Sequence, residues 1–153
     1  MGRRRARKPG FLAKHSLSIV SIAILGLWTV LYSHSSAETH LGSFFGNAIA
    51  DWSGVVMTVI GTKYFYEVGS AESRQPPKGF PGNISQHLRR HSLSIFLILT
   101  GVGWAVLFAS LDTQGKWGEV VGNIVSEWTQ LLGLVLLTKK LVEQHSKESA
   151  GSK

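Results

Sequence analysis

The chain has 153 residues, of which 44% are hydrophobic and only 16% are charged. This length suffices for one compact unit and is too short for a two-domain nucleotide-binding enzyme. The chain has no Cys, which excludes disulfides, thiolate metal sites and cysteine nucleophiles. A net charge of +7 favours contact with nucleic acid or with an anionic membrane surface, and the positions of the basic residues decide between the two.

The chain begins with a basic tail, residues 1–13, that carries no folded surface able to read bases. We therefore expect a lipid bilayer as its partner and no nucleic acid. Basic side chains next to an anionic membrane surface contribute about 1 kcal/mol each. The residues expected on lipid headgroups are Arg3, Arg4, Arg5, Arg7 and Lys8.

Four apolar segments follow the tail, and each is long enough to cross the roughly 30 Å hydrocarbon core of a bilayer. They cover residues 17–33, 44–66, 93–111 and 120–142. Apolar residues run almost all the way round each segment, whereas a soluble core helix keeps a polar face. The sequence therefore predicts an all-α membrane protein with four transmembrane helices.

The basic residues predict how these helices are oriented. With four spans, both termini and the loop between the second and third spans lie on the same side of the membrane. Of the 16 Lys and Arg residues, only Lys116 falls on the other side. Because Lys and Arg are retained in the cytoplasm, we expect both termini to be cytoplasmic.

The chain also contains an internal repeat. A shift of 76 residues aligns residues 14–73 with 90–149 without a gap, and 20 of the 60 positions are identical. The sequence thus predicts two tandem-duplicated helical hairpins, residues 14–67 and 90–143, related by a pseudo-twofold axis along the membrane normal. Between them lies a cytoplasmic linker, residues 68–89, rich in Pro and Gly that break helices. Residues 144–153 form a cytoplasmic tail.

A His-Ser pair at the start of each hairpin also repeats. His15 stands beside Ser16 at the start of the first span, and His91 stands beside Ser92 at the start of the third. The serines are candidate N-caps, and the histidines are candidate interfacial or pH-sensing groups.

Two carboxylates lie well inside the predicted spans, Asp51 in the second and Glu127 at the equivalent position in the fourth. An ionisable group at such a depth costs about 2.5 to 3.5 kcal/mol and often marks a pathway. At about 100° per residue, each acid shares a helix face with other polar residues. These are Asn47, Thr58 and Thr62 in the second span, and Asn123 and Thr138 in the fourth.

Two interpretations of this polar stripe remain open. The paired acids would share a proton or a cation, which is a way to move charge. Alternatively, each acid accepts a hydrogen bond from an Asn, a Thr or an indole N–H and only fixes the pairing of the helices.

Small residues spaced four apart accompany the stripe and are typical of helix packing in membranes. They lie on another side of the helices, so we expect them to contact the first and third spans or another subunit. They are Gly42, Gly46, Gly118 and Gly122.

The sequence carries no motif for a serine nucleophile, a phosphate-binding loop or a metal site, so we expect no enzyme, no metal and no cofactor. The favoured function is a subunit of an ion channel or transporter, for a cation or a proton, that uses the paired carboxylates. Because four short helices enclose little space, a homo-oligomer would complete the pathway. The alternative is a non-transporting membrane scaffold or accessory protein whose polar residues serve helix packing.

The first half of the chain resembles a group of small bacterial inner-membrane proteins of unknown function. The resemblance covers mainly residues 3–73: a basic N-terminus, a first span that opens with residues 15–19, the acid and Trp pair Asp51 and Trp52, and the segment 69–73 after the second span. The outer loop is shorter here and the second hairpin is additional. The resemblance implies residence in a bacterial plasma membrane and no particular activity.

Overall fold

The computed structural model describes residues 10–73, 83–112 and 115–141. Within these ranges the chain is helical and contains no strand. The helices are α1 (Phe11–His34), α2 (His40–Tyr64), α3 (Asn83–Arg90), α4 (Ser92–Ser110) and α5 (Lys116–Leu137).

Four of these helices, α1, α2, α4 and α5, are long and apolar enough to cross a membrane. They correspond to the four predicted segments, and this part of the prediction is confirmed. Large apolar side chains are exposed along them, including Leu27, Leu99 and Val106. Exposed apolar surface on every long helix is what lipid-facing helices require and what a soluble monomer avoids.

The long helices form a row in which α2 and α5 are central, with α1 packed on α2 and α4 packed on α5. Asn47 of α2 contacts Asn123 of α5, and further along the same pair of helices Gly54 faces Glu127. The residue numbers increase together, so α2 and α5 run in the same direction. These two helices supply seven of the ten residues of the buried core cluster, which consists of Tyr32, Ile49, Ala50, Met57, Leu93, Leu97, Val120, Ile124, Trp128 and Val135.

A polar joint ties the end of α1 to the start of α5. The buried Tyr32 donates its hydroxyl hydrogen to the Lys116 carbonyl at 2.5 Å. The Lys116 ammonium in turn donates to the carbonyls of Ser33 and Ser35, at 3.1 and 2.5 Å. A cation at a helix C-terminus satisfies carbonyls that have no partner in the helix. Lys116, which belongs to the second hairpin, therefore caps the C-terminal end of α1.

A second joint lies at the other end and is built by residues 65–73, here called the exit segment. It turns back at Gly69, whose φ of 80° is one that residues with a β-carbon rarely adopt. Its backbone pairs with the start of α4, where Val68 N–H donates to the Arg90 carbonyl at 2.8 Å and Leu93 N–H donates to the Tyr66 carbonyl at 3.1 Å. The exit segment of the first hairpin is thus fastened onto the second.

Two features differ from the sequence analysis. The helix α3 begins within the segment predicted to be a linker, after all of the prolines and glycines of that segment. The N-cap expectation for Ser16 and Ser92 is wrong, because α1 begins at Phe11 and the N-cap of α4 is His91. Ser92 instead donates to the Tyr66 carbonyl at 3.1 Å, so it holds the exit segment.

Candidate functional site

The two carboxylates of the long helices share one cavity of 160 Å³ between α2 and α5. Each helix contributes an amide, a small residue and an acid. The lining residues are Asn47, Ala50 and Asp51 from α2, and Asn123, Ser126 and Glu127 from α5. In each helix these three residues are spaced in the same way, so each lines the cavity opposite the residue 76 positions away.

The two amides bridge the helices at one end of this cavity. Asn123 Nδ2 donates to Asn47 Oδ1 at 2.7 Å, a contact between residues 76 positions apart in the chain. This interval equals the shift that aligns the two halves of the sequence. The hydrogen bond fixes the register of α2 against α5 and thereby brings Asp51 and Glu127 to the same level.

The two carboxylates are close enough to interact electrostatically. Asp51 is exposed, and within the described parts of the chain no side chain donates a hydrogen bond to it. Glu127 is partly buried, accepts a weak hydrogen bond from Gln130 at 3.4 Å, and points one oxygen at Gly54, where a β-carbon would lie 3.1 Å from it. The two acids therefore lie together but are not neutralised by neighbours.

The indole of the neighbouring Trp128 does not serve the acids. Its N–H donates to the Thr100 hydroxyl of α4 at 2.8 Å. In the packing interpretation each acid accepts a hydrogen bond from an Asn, a Thr or an indole. In the structure the Asn123 amide donates to Asn47 and the Trp128 indole donates to Thr100, so these groups fix helix packing without binding the carboxylates.

A smaller cavity of 20 Å³ lies deeper between α2, α4 and α5. Two of its polar residues, Thr58 and Thr62, belong to the predicted stripe, and the third, Glu72, comes from the exit segment. Sequence analysis missed Glu72, because no helical periodicity relates a residue in a loop to a face of α2. Its repetition at position 148 was the only available signal.

Other predicted residues lie elsewhere. Thr138 follows α5 and is buried in the joint at the exit segment, where its hydroxyl meets Ser70 Oγ at 3.0 Å and accepts from Ala71 N–H at 3.3 Å. It lines neither cavity, so the structure does not bring it to the acids. The basic residues expected on lipid headgroups, Arg3, Arg4, Arg5, Arg7 and Lys8, lie outside the described residues.

The strongest charge cluster of the described chain surrounds Glu67 of the exit segment, which is fully buried. Its Oε1 accepts from His91 Nδ1 at 2.6 Å and pairs with the Lys139 ammonium, and its Oε2 accepts from Ser94 N–H at 3.1 Å. Burial raises the pKa of the Glu67 carboxyl, but the hydrogen bonds from Lys139, His91 and Ser94 outweigh it and hold that pKa below its ordinary value.

The equivalent positions of the first hairpin also meet. Lys63 Nζ lies 2.6 Å from His15 Nδ1. Lys63 and His15 stand 76 residues before Lys139 and His91. His15 thus contacts a lysine in the last turn of α2, whereas His91 and Lys139 both contact Glu67. Glu143, the counterpart of Glu67, lies outside the described residues.

The small residues lie where α2 and α5 meet their neighbours. A β-carbon on Gly46 would lie 3.1 Å from the Tyr32 ring of α1, and one on Gly122 would lie 2.9 Å from the Phe108 ring of α4. Gly42 is packed against the Ser36 carbonyl before α2, and Gly118 is also buried.

The fit at Gly122 predicts that Gly122→Ala destabilises the protein by about 1 to 3 kcal/mol, because the Phe108 ring must move. The free energy of unfolding in mixed detergent micelles measures this effect. Gly26→Ala is the matched control, since nothing lies within 4 Å of a β-carbon there and Ala is the better helix former. Equal stability of the two variants would contradict the packing role of Gly122.

The described residues thus define a class of protein: it is all-helical, with four helices of membrane-spanning length and a polar groove between α2 and α5. The polar residues of this groove are Asn47, Asp51, Thr58, Thr62, Asn123 and Glu127. The described residues hold no group of three or more His, Asp or Glu residues positioned for a metal ion. No protein-family model, no curated protein and no solved structure matches the chain.

Proposed function

We propose that the protein is a subunit of a small cation or proton channel or transporter in a bacterial plasma membrane. In this proposal it crosses the membrane four times as two tandem-duplicated hairpins, with both termini in the cytoplasm. The resemblance of residues 3–73 to small bacterial inner-membrane proteins supports the location. Asp51 and Glu127 bind or relay the cation, and Asn47 and Asn123 orient them.

The observation that carries the proposal is the shared cavity of Asp51 and Glu127. Within a bilayer each charged acid costs about 2.5 to 3.5 kcal/mol, and two neighbouring acids also repel. A cation or a shared proton relieves both costs. The groups next to the acids do not relieve them, because the two amides bond to each other and Gln130 is 3.4 Å from Glu127.

The groove selects for positive charge along its length. Thr58 Oγ1 donates to the Gly54 carbonyl at 3.0 Å, and Thr62 Oγ1 donates to the Thr58 carbonyl at 2.5 Å. Because each hydroxyl hydrogen is held by the backbone, the oxygen lone pairs are left to face the groove. Acceptors of this kind stabilise a cation or a hydronium ion and not an anion.

The proposal includes a homo-oligomer. Asp51 and Asn47 are exposed on the isolated chain, so one copy does not enclose the cavity. Copies that meet along the groove would remove these groups from lipid and close the sides of the pathway.

A second candidate is a scaffold or accessory protein, and one observation favours it. The bond between Asn47 and Asn123 joins two helices, as interhelical amides do when they serve only to fix packing. The two candidates differ in whether water reaches the acids, because a transport site needs solvent access and a packing site does not.

Thiol labelling tests this difference, and the native chain contributes no Cys background. Cysteines at Asn47 and Asn123 are expected to react with a membrane-impermeant thiol reagent, because the cavity connects to water in the oligomer. Leu27→Cys is the matched control. It lies seven residues before the end of α1, as Asn47 lies seven residues after the start of α2, and its exposed side chain faces lipid.

Labelling at Asn47 or Asn123 that is no faster than at Leu27 would favour the scaffold. The functional counterpart is flux: liposomes that contain the purified protein are expected to conduct protons or monovalent cations faster than empty liposomes. Flux equal to that of empty liposomes would contradict transport.

A further inference from the structure

Glu72 of the exit segment stands at the end of the α2/α5 groove where both helices end. It lines the 20 Å³ cavity together with Thr58 and Thr62, and its Oε1 is buried. The residue as a whole is only partly buried, so its carboxyl group lies between the cavity and the surroundings of the exit segment. The exit segment therefore places an acid at the mouth of a mostly apolar cavity that also holds two threonines.

The polar groups between the two cavities follow one another along the face of α2. Glu127 points an oxygen at Gly54, the Gly54 carbonyl accepts from Thr58, and the Thr58 carbonyl accepts from Thr62. Gly54 has no side chain to separate Glu127 from the next turn. A series of oxygen atoms thus leads from the Asp51 and Glu127 cavity to Glu72.

The deeper cavity has the size and chemistry to hold a single water molecule. A water needs roughly 10 to 15 Å³ and two to four polar partners. The cavity provides 20 Å³, with the hydroxyl oxygens of Thr58 and Thr62 and the carboxylate of Glu72 on its lining. The remainder of the lining is apolar.

Hydrogen bonds on both sides of Glu72 fix its position in the exit segment. Glu72 N–H donates to Ser70 Oγ at 3.3 Å, and Ser70 Oγ is bonded to Thr138 after α5. On the other side, Ser73 Oγ accepts from Glu67 N–H at 2.7 Å and donates to the Glu67 carbonyl at 3.1 Å. The residues on both sides of Glu72 are thus anchored.

We propose that Glu72 forms the cytoplasmic mouth of the cation pathway, where it attracts the cation and passes it to or from Thr62, Thr58 and the acid pair. The proposal rests on the function proposed for Asp51 and Glu127. It adds a residue of the exit segment, and it assigns the small cavity to the pathway.

A charged-reagent experiment tests the mouth without depending on flux. In Thr62→Cys, thiol reaction rates are measured for a cationic and an anionic methanethiosulfonate reagent, applied to the side of the membrane that carries the termini. The ratio of the two rates is normalised to that for a free thiol in solution. At the dielectric constant of water, a unit charge about 6 Å from a site changes the local concentration of each ion about threefold, in opposite directions, so Glu72→Gln is expected to lower the ratio by up to about tenfold.

The matched control is Glu119→Gln in the same Thr62→Cys background. It removes an exposed carboxylate from the first turn of α5, at the far end of the bundle, and is expected to leave the ratio unchanged. A ratio that Glu72→Gln leaves unchanged, or that falls equally in the control, overturns the proposal. So does a Thr62→Cys that reacts with neither reagent, because the cavity would then not be reached from that side.

Flux in liposomes separates this proposal from the function on which it rests. Glu72→Gln is expected to lower cation flux severalfold while Glu119→Gln leaves it unchanged. If the unaltered protein conducts and Glu72→Gln conducts equally well, the role of Glu72 is wrong and the acid pair stands. If the unaltered protein does not conduct, the transport function is wrong, and the reagent ratio still decides whether Glu72 lies at a solvent-reached mouth.

Discussion

Liposomes that contain the double variant Asp51→Asn, Glu127→Gln are expected to lose cation flux, by roughly a hundredfold or more. The amides keep the shape of the acids and can still form hydrogen bonds, but they carry neither charge nor an exchangeable acidic proton. At about 4 Å and an effective dielectric constant of 20, one lost charge weakens the binding of a cation by about 4 kcal/mol. A pH-sensitive dye inside the liposomes reports proton flux, and ion-selective electrodes report efflux of monovalent cations.

The control for this experiment is Glu119→Gln, which makes the same chemical change at an exposed position outside the shared cavity. The single variants are expected to lie between the control and the double variant, because one remaining acid still attracts a cation. A double variant that conducts as well as the unaltered protein would remove the carboxylates from the mechanism. The double variant must also remain folded, which its unfolding transition in detergent establishes.

Glu67→Ala is expected to destabilise the protein by about 3 to 5 kcal/mol. The substitution leaves Lys139 and His91 without their shared carboxylate at a buried position, and removal of one partner from a buried ion pair has an effect of this size. The free energy of unfolding in mixed detergent micelles is the measurement. Glu38→Ala, which changes an exposed acid of the loop between α1 and α2, is expected to have little effect.

The contribution of Glu67 is also expected to depend on pH in a definite direction. Its pKa is lower in the folded than in the unfolded protein, so the folded state binds fewer protons at this site. Its stabilisation is therefore present above the unfolded pKa of about 4.3 and is lost as the pH falls through the folded value. The stability difference between the unaltered protein and Glu67→Gln should shrink on acidification, and a difference that grows at low pH would contradict the ion pair.

The helices themselves could be predicted because the length of an apolar segment is a local property. The structure extends α1 back to Phe11, beyond the predicted start at residue 17, because Lys14, His15 and Ser16 are polar without being helix breakers. The short helix α3 was not anticipated, because the Pro and Gly residues drew attention to the first part of the linker while its last residues contain neither.

The acid cavity could be predicted in part, because Asn47 and Asp51 share a helix face and the repeat supplied Asn123 and Glu127 as partners. The environments of Glu67 and Glu72 could not. Glu67 meets His91, Ser94 and Lys139, which stand 24, 27 and 72 positions further along the chain. Nothing in the periodicity of a helix relates a loop residue to such distant partners, and the placement follows only once the exit segment turns back at Gly69.

The exit segment also binds the two halves of the molecule to each other. Glu67, Ser70 and Ser73 belong to the first half of the chain, whereas His91, Ser94, Lys139 and Thr138, which receive the segment, belong to the second. Side chains and backbone groups of the exit segment thus bind the second hairpin at several points. Two half-length polypeptides, synthesised separately, would therefore still carry the groups that bind one half to the other.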